Sequence, residues 1–166
     1  LKNKKFSNKK IEINNSNIFF KDNSEEIISI IKIDKTVAYF DDENLLNLLN
    51  INGEVFKMPF NLNFKYQTNT NGYHKINFSS KPLRLNISNV SIKKKKSISG
   101  KNSISFLNSK LNTKYNIKEK SIIFKSDSSR VDAFQVSYVG ELLINPFDLN
   151  LDIHLDNYKI SKLFNN

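Results

Sequence analysis

The chain is 166 residues long, the size of one domain, and carries a net charge of +10 that rests on lysine: of its 26 basic residues only Arg84 and Arg130 are arginine. It has no cysteine, which excludes disulfides and thiolate metal sites, and no apolar run approaches the ~20 residues of a membrane helix. Lysine is the poorer ligand for bidentate phosphate recognition, so nucleic acid is disfavoured as a partner and solvated lysine faces are the preferred reading.

No signal peptide opens the sequence and the first residue is Leu1, so a segment of a longer protein is expected. Residues 1–10 read as a basic, unpaired lead-in. Alternation starts at Ile11 and Ile13, a polar turn is expected at Asp22 to Ser24, and Glu26 to Phe40 reads as one long strand or two broken ones. Asp41, Asp42 and Glu43 precede Asn44-Leu45-Leu46-Asn47-Leu48-Leu49, a short helix candidate with Asp41 or Asp42 as its N-cap, or else a bent loop.

From Val55 to Gln67 the alternation is strict. Phe56, Met58, Phe60, Leu62, Phe64 and Tyr66 share one parity, the period of a strand with one apolar face. A three-residue loop, Thr70-Asn71-Gly72, then pairs Tyr66 with Ile76 and Phe64 with Phe78. Leu83, Leu85 and Ile87 follow, and the parity loses its hydrophobicity at Asn89 before Val90 and Ile92, which predicts a bulge or bend. Lys93 to Lys96 form a basic turn. Further runs are Ile104 and Phe106; Leu111, Tyr115 and Ile117; Ile122 and Phe124; and Phe134, Val136 and Tyr138. About ten strands result, with one helical turn expected over Tyr158 to Phe164.

The block at 53–66, GEVFKMPFNLNFKY, returns at 140–153 as GELLINPFDLNLDI. Gly140, Glu141, Pro146, Phe147, Leu149 and Asn150 match Gly53, Glu54, Pro59, Phe60, Leu62 and Asn63, and Leu151 and Ile153 continue the apolar parity. Proline cannot donate to a ladder, so Pro59 and Pro146 are read as bends inside their strands.

A long meander with one apolar face must curl or hold something, because a flat sheet would expose more apolar surface than a soluble monomer tolerates. The fold class expected is all-β, a long antiparallel meander with little helix, filling a closed core or lining an open groove. Glycine, strand, Pro-Phe and alternating leucines, repeated within such a meander, resemble the AsmA-like proteins of Gram-negative bacteria, relatives of TamB and YhdP in the repeating β-groove group. The sharpest likeness lies in Asp41 to Tyr66 and Gly140 to Phe164. The resemblance implies a taco-like groove with an apolar concave face that cradles phospholipid acyl chains. It also implies a place in the periplasm, in phospholipid transport and outer-membrane biogenesis, with an inner-membrane anchor elsewhere in the parent chain.

On that reading the groove floor is Phe56, Met58, Phe60, Leu62, Phe64, Tyr66, Ile76, Phe78, Leu83, Leu85, Ile87, Ile104, Phe106, Leu111, Tyr115, Ile117, Ile122, Phe124, Phe134, Val136, Tyr138, Phe147, Leu149, Leu151 and Ile153. Two other readings remain open. One is a basic β-domain gripping anionic surfaces or nucleic acid through its lysine-rich turns, and the other is a fragment of an outer-membrane barrel. An enzyme is not expected. His74 and His154 read as solvated and too distant to share a metal, Asp127-Ser128-Ser129 reads as a turn, and no cofactor or metal is called for.

Overall fold

The computed structural model describes residues 5–67, 72–94 and 96–156. Eleven strands follow one another: β1 (Ile11–Lys21), β2 (Ile27–Asp41), β3 (Leu46–Val55), β4 (Met58–Gln67), β5 (Tyr73–Ser80), β6 (Leu85–Lys94), β7 (Ser97–Phe106), β8 (Ser109–Ile117), β9 (Ser121–Val131), β10 (Phe134–Ile144) and β11 (Phe147–Asp156). Each pairs antiparallel with its sequence neighbours, so the spatial order is the chain order. Only consecutive strands pair along their backbones. Among the described residues the all-β expectation therefore holds, there is no helix, β1 does not meet β11, and the sheet stays open as a single layer.

The helix candidate is overturned, because Leu46–Val55 is a strand paired on both sides, to β2 and to β4. Its leucine spacing suits a helical stripe, yet two flanking strands supply a full ladder, and such pairing overrides a short local preference. The acid before it does act as a cap. Asp41 Oδ1 accepts from the backbone N–H groups of Glu43 (3.0 Å) and Asn44 (3.1 Å), within a turn rather than a helix. The Asn44 side-chain amide, donating to Asp41 Oδ2 at 2.9 Å, and then these backbone bonds hold the Asp41 carboxyl below its usual pKa.

The repeated block is also corrected, from one bent strand to a β-hairpin in both copies. In the first, Phe56 and Lys57 form a two-residue turn with φ of +50° and +61°, the left-handed pair that matches strand twist, and Val55 pairs with Met58. In the second, Ile144 pairs with Phe147 around Asn145-Pro146. The turn falls two residues later, so Pro59 lies within a strand, opposite Glu54, whereas Pro146 lies in the turn. Pro59 is tolerated because the β4–β5 ladder starts only at Asn61, and its free carbonyl accepts the Ser80 hydroxyl at 2.8 Å.

Three smaller expectations change. The β4–β5 pairing keeps faces as foreseen but slips by two residues, setting Tyr66 opposite His74, Phe64 opposite Ile76 and Leu62 opposite Phe78. Gly72 takes a positive φ of +47°, as expected. No bulge interrupts β6, which pairs regularly on both sides, so Val90 and Ile92 simply face the other way from Ile87. Asp127-Ser128-Ser129 lies within β9 at a register shift, not in a turn. Thr70, Asn71, Lys95 and the expected helical turn at 158–164 lie outside the described residues.

The lead-in is not unpaired over residues 5–8. The Phe40 N–H donates to the Ser7 carbonyl at 2.8 Å, the Phe6 N–H donates to Asn47 Oδ1 at 2.6 Å, and Lys5 Nζ stands 4.6 Å from the Phe40 ring centre. Phe40 is 2% exposed and Asn47 1% beneath this segment.

A sheet face assembled from ten strand pairings

In an antiparallel pair, residues directly opposite share a face, so the registers can be followed from strand to strand. Starting at Phe60, one face, here face I, collects Met58, Phe60, Leu62, Phe64 and Tyr66 of β4 with Ile76 and Phe78 of β5. Leu85, Ile87, Ile104 and Phe106 join through β6 and β7, and Leu111, Tyr115 and Ile117 through β8. Ile122 and Phe124 follow on β9, Phe134, Val136 and Tyr138 on β10, and Phe147, Leu149, Leu151 and Ile153 on β11. Of the residues expected on the floor, Phe56 and Leu83 do not lie on this face within a strand. Phe56 is in the β3–β4 turn, 68% exposed, and Leu83 is in the turn before β6.

One cross-strand row is apolar without a break from β3 to β8: Ile51, Leu62, Phe78, Ile87, Ile104 and Leu111. Six strands at the usual spacing make it about 24 Å long. The next row passes through Leu49, Phe64 and Ile76 and then turns polar at Asn89, Asn102 and Thr113. Asn89 and the Tyr115 hydroxyl exchange hydrogen bonds at 2.9 and 3.1 Å, and Thr113 Oγ1 lies 2.5 Å from the Tyr138 hydroxyl. Ser126 and Ser129, both buried, share a hydroxyl bond of 2.6 Å, and Ser129 Oγ also accepts the Asn112 N–H at 2.9 Å where the β8–β9 ladder is irregular. Face I is therefore apolar in stripes around a polar island.

Three glycines decide where its aromatic rings lie. Gly53 pairs with Phe60, Gly100 with Tyr115, and Gly140 with Phe124. A Cβ on Gly100 would stand 2.4 Å from Tyr115 Oη, one on Gly140 2.6 Å from Phe124 Cζ, and one on Gly53 3.2 Å from Phe60 Cζ. Each ring thus folds down over bare backbone. The aromatic residues were legible in the sequence, but their glycine partners were not, because the pairing depends on register. Phe60 also stacks on Phe78, with ring centres 5.6 Å apart.

His74, the second residue of β5, belongs to this face and is half-buried rather than solvated. Its ring lies 4.5 Å from that of Tyr66 and 6.3 Å from that of Phe64. Partial burial, with the nearby Lys93 charge, pulls its pKa below the usual 6.5. Above pH 6.5 both folded and unfolded chains hold it neutral. As pH falls through that value the unfolded chain takes the proton first, so stability is lost on the acid side. His74→Gln should flatten that part of a urea-midpoint profile between pH 7 and 5.

His154 faces the other way and meets Asp156 at 2.9 Å. No group of three or more potential metal ligands occurs among the described residues. Face I is largely unroofed. Among the described residues the buried hydrophobic ones are Ile33, Phe40 and Val136, while Phe147 is 76% exposed and Leu149, Leu151 and Ile153 are exposed beside it. The chain matches no protein-family model, no curated protein and no solved structure.

Proposed function

We propose that the sheet curls into a taco-like trough with face I concave, and that this face holds phospholipid acyl chains in the manner of the AsmA-like proteins that the sequence resembles. The observation that carries the reading is the unroofed apolar row from Ile51 to Leu111, flanked by aromatic rings lying over glycines. Each methylene buried there contributes about 0.8 kcal/mol without directional demands. A chain can therefore be held firmly and still slide. Lys93, Lys94, Lys96, Lys118 and Lys120 cluster at the turns of one rim, where they suit the phosphate of a headgroup left in water. On this reading the chain belongs to a longer periplasmic protein with an inner-membrane anchor, working in phospholipid transport to the outer membrane. It performs no covalent step and needs no cofactor.

The test is to purify the chain from detergent-free cells, extract it with organic solvent and identify lipids by mass spectrometry. Co-purified phospholipid, reduced by Phe147→Asp together with Leu149→Asp, is the expected result. A lipid-free chain that also fails to take up fluorescent phosphatidylcholine from vesicles would sink the reading. So would a chain that resists carbonate extraction from membranes, since that behaviour belongs to an inserted barrel.

A further inference from the structure

The opposite face, face II, carries a charge arrangement that the lipid reading does not use. Lys101, Lys114 and Lys125 stand directly opposite one another on β7, β8 and β9. Like charges placed so destabilise a sheet, and strand spacing sets neighbouring backbones only about 4.8 Å apart. The carboxylate paired with them is Asp127, 3.2 Å from Lys114 Nζ. Lys65 and Lys75 also stand opposite each other, on β4 and β5, and Lys32 faces Glu54 at 3.6 Å, so the triad is the longest run of opposed lysines among the described pairings of the face. The three lysines line a hollow of about 320 Å³ together with Asp127, Ser88 and Ser103. Ser103 donates to Asn112 at 2.8 Å, which leaves its oxygen fixed at the hollow's wall, and Lys110 opposite Arg130 adds positive charge on the same strands.

We infer that this hollow binds a phosphate-bearing anion, whose oxygens accept from Lys101, Lys114 and Lys125 and relieve their mutual repulsion. The Ser88 and Ser103 hydroxyls already donate to Asn77 Oδ1 and Asn112 Oδ1, so the lysines supply the contacts: three ammonium groups around one di- or trianion form charge-assisted bonds, which are strongest where water is partly displaced. The phosphate can come from a soluble oligophosphate or from a lipid headgroup, and the two sources are separable.

The experiment titrates the whole chain calorimetrically with inorganic tripolyphosphate and, in parallel, floats it with vesicles containing phosphatidic acid. Binding to tripolyphosphate alone assigns a soluble source, and flotation as well assigns a headgroup. In either case Lys101→Gln/Lys114→Gln/Lys125→Gln should abolish it, while Lys9→Gln/Lys10→Gln/Lys21→Gln, before and on β1, should leave it. Asp127→Asn removes the competing carboxylate and should tighten binding about fivefold at low salt. The triple variant should also melt at a higher temperature without ligand, because the opposed charges are gone. No binding in either arm, or binding that survives the triad substitution, overturns the inference, and because the triad lies on face II neither result bears on acyl chains on face I.

Discussion

Gly100→Val should lower the stability of the sheet by about 3 kcal/mol or more, read as the loss of a cooperative urea transition or a large fall in its midpoint. The position sits opposite Tyr115 in the β7–β8 ladder, and an added Cβ would lie 2.4 Å from the Tyr115 oxygen and 2.7 Å from the Val90 carbonyl on the other side. The ring can swing away, but the carbonyl belongs to the β6–β7 ladder and cannot. Two strand pairs would therefore separate together, in a protein whose strands have no second layer to hold them. Swinging the ring also breaks the Tyr115–Asn89 exchange that spans β6 to β8. Gly100→Val/Tyr115→Leu should recover only part of the loss, because the carbonyl clash remains. A Gly100→Val protein with an unchanged midpoint would mean that the ring does not lie over the glycine.

That contact illustrates what could and could not be read from the sequence. Alternation is local, so most residues sharing face I from Met58 to Ile153 were legible strand by strand, Leu83 in its turn and His74 being the exceptions. Pairing itself was less so. The β4–β5 register could be narrowed to those that keep apolar residues together, but registers two residues apart preserve that parity equally well. The Tyr66–His74 stack favours the observed one, and it escapes any argument that counts histidine as a solvated turn residue. Leu46 and Leu48 show a second limit. They lie on the face opposite Leu49 and Ile51, so β3 has no clean period of two, and its leucines imitate a helical stripe until strands on both sides claim the backbone. Conversely, Val90 and Ile92 on face II imitate a bulge that β6 does not have. The repeated block misled by its very regularity, since identical Pro-Phe pairs fall at different points of two hairpins.

On the proposed lipid reading, the same register says where a charge should stop movement along face I. Ile87→Asp should reduce transfer of a fluorescent phosphatidylcholine between vesicles at least about tenfold, whereas Asn89→Asp, two residues along the same strand, should change it about twofold or less. Ile87 lies between Phe78 and Ile104 in the unbroken row, while Asn89 lies between Ile76 and Asn102 in the row that is already polar. A carboxylate in the first position must be desolvated by every acyl chain that crosses it. In the second it joins an island of amides and hydroxyls that a sliding chain has reason to bypass. Both side chains are only half-buried in a single layer, so both variants should keep the β-sheet circular dichroism of the parent, and the comparison separates conduction from folding. Equal transfer by the two variants would mean that the row from Ile51 to Leu111 is not the path. Equal transfer by both variants and the parent would remove face I from lipid conduction altogether, because a buried charge across a continuous apolar track cannot be without cost to a chain that uses it.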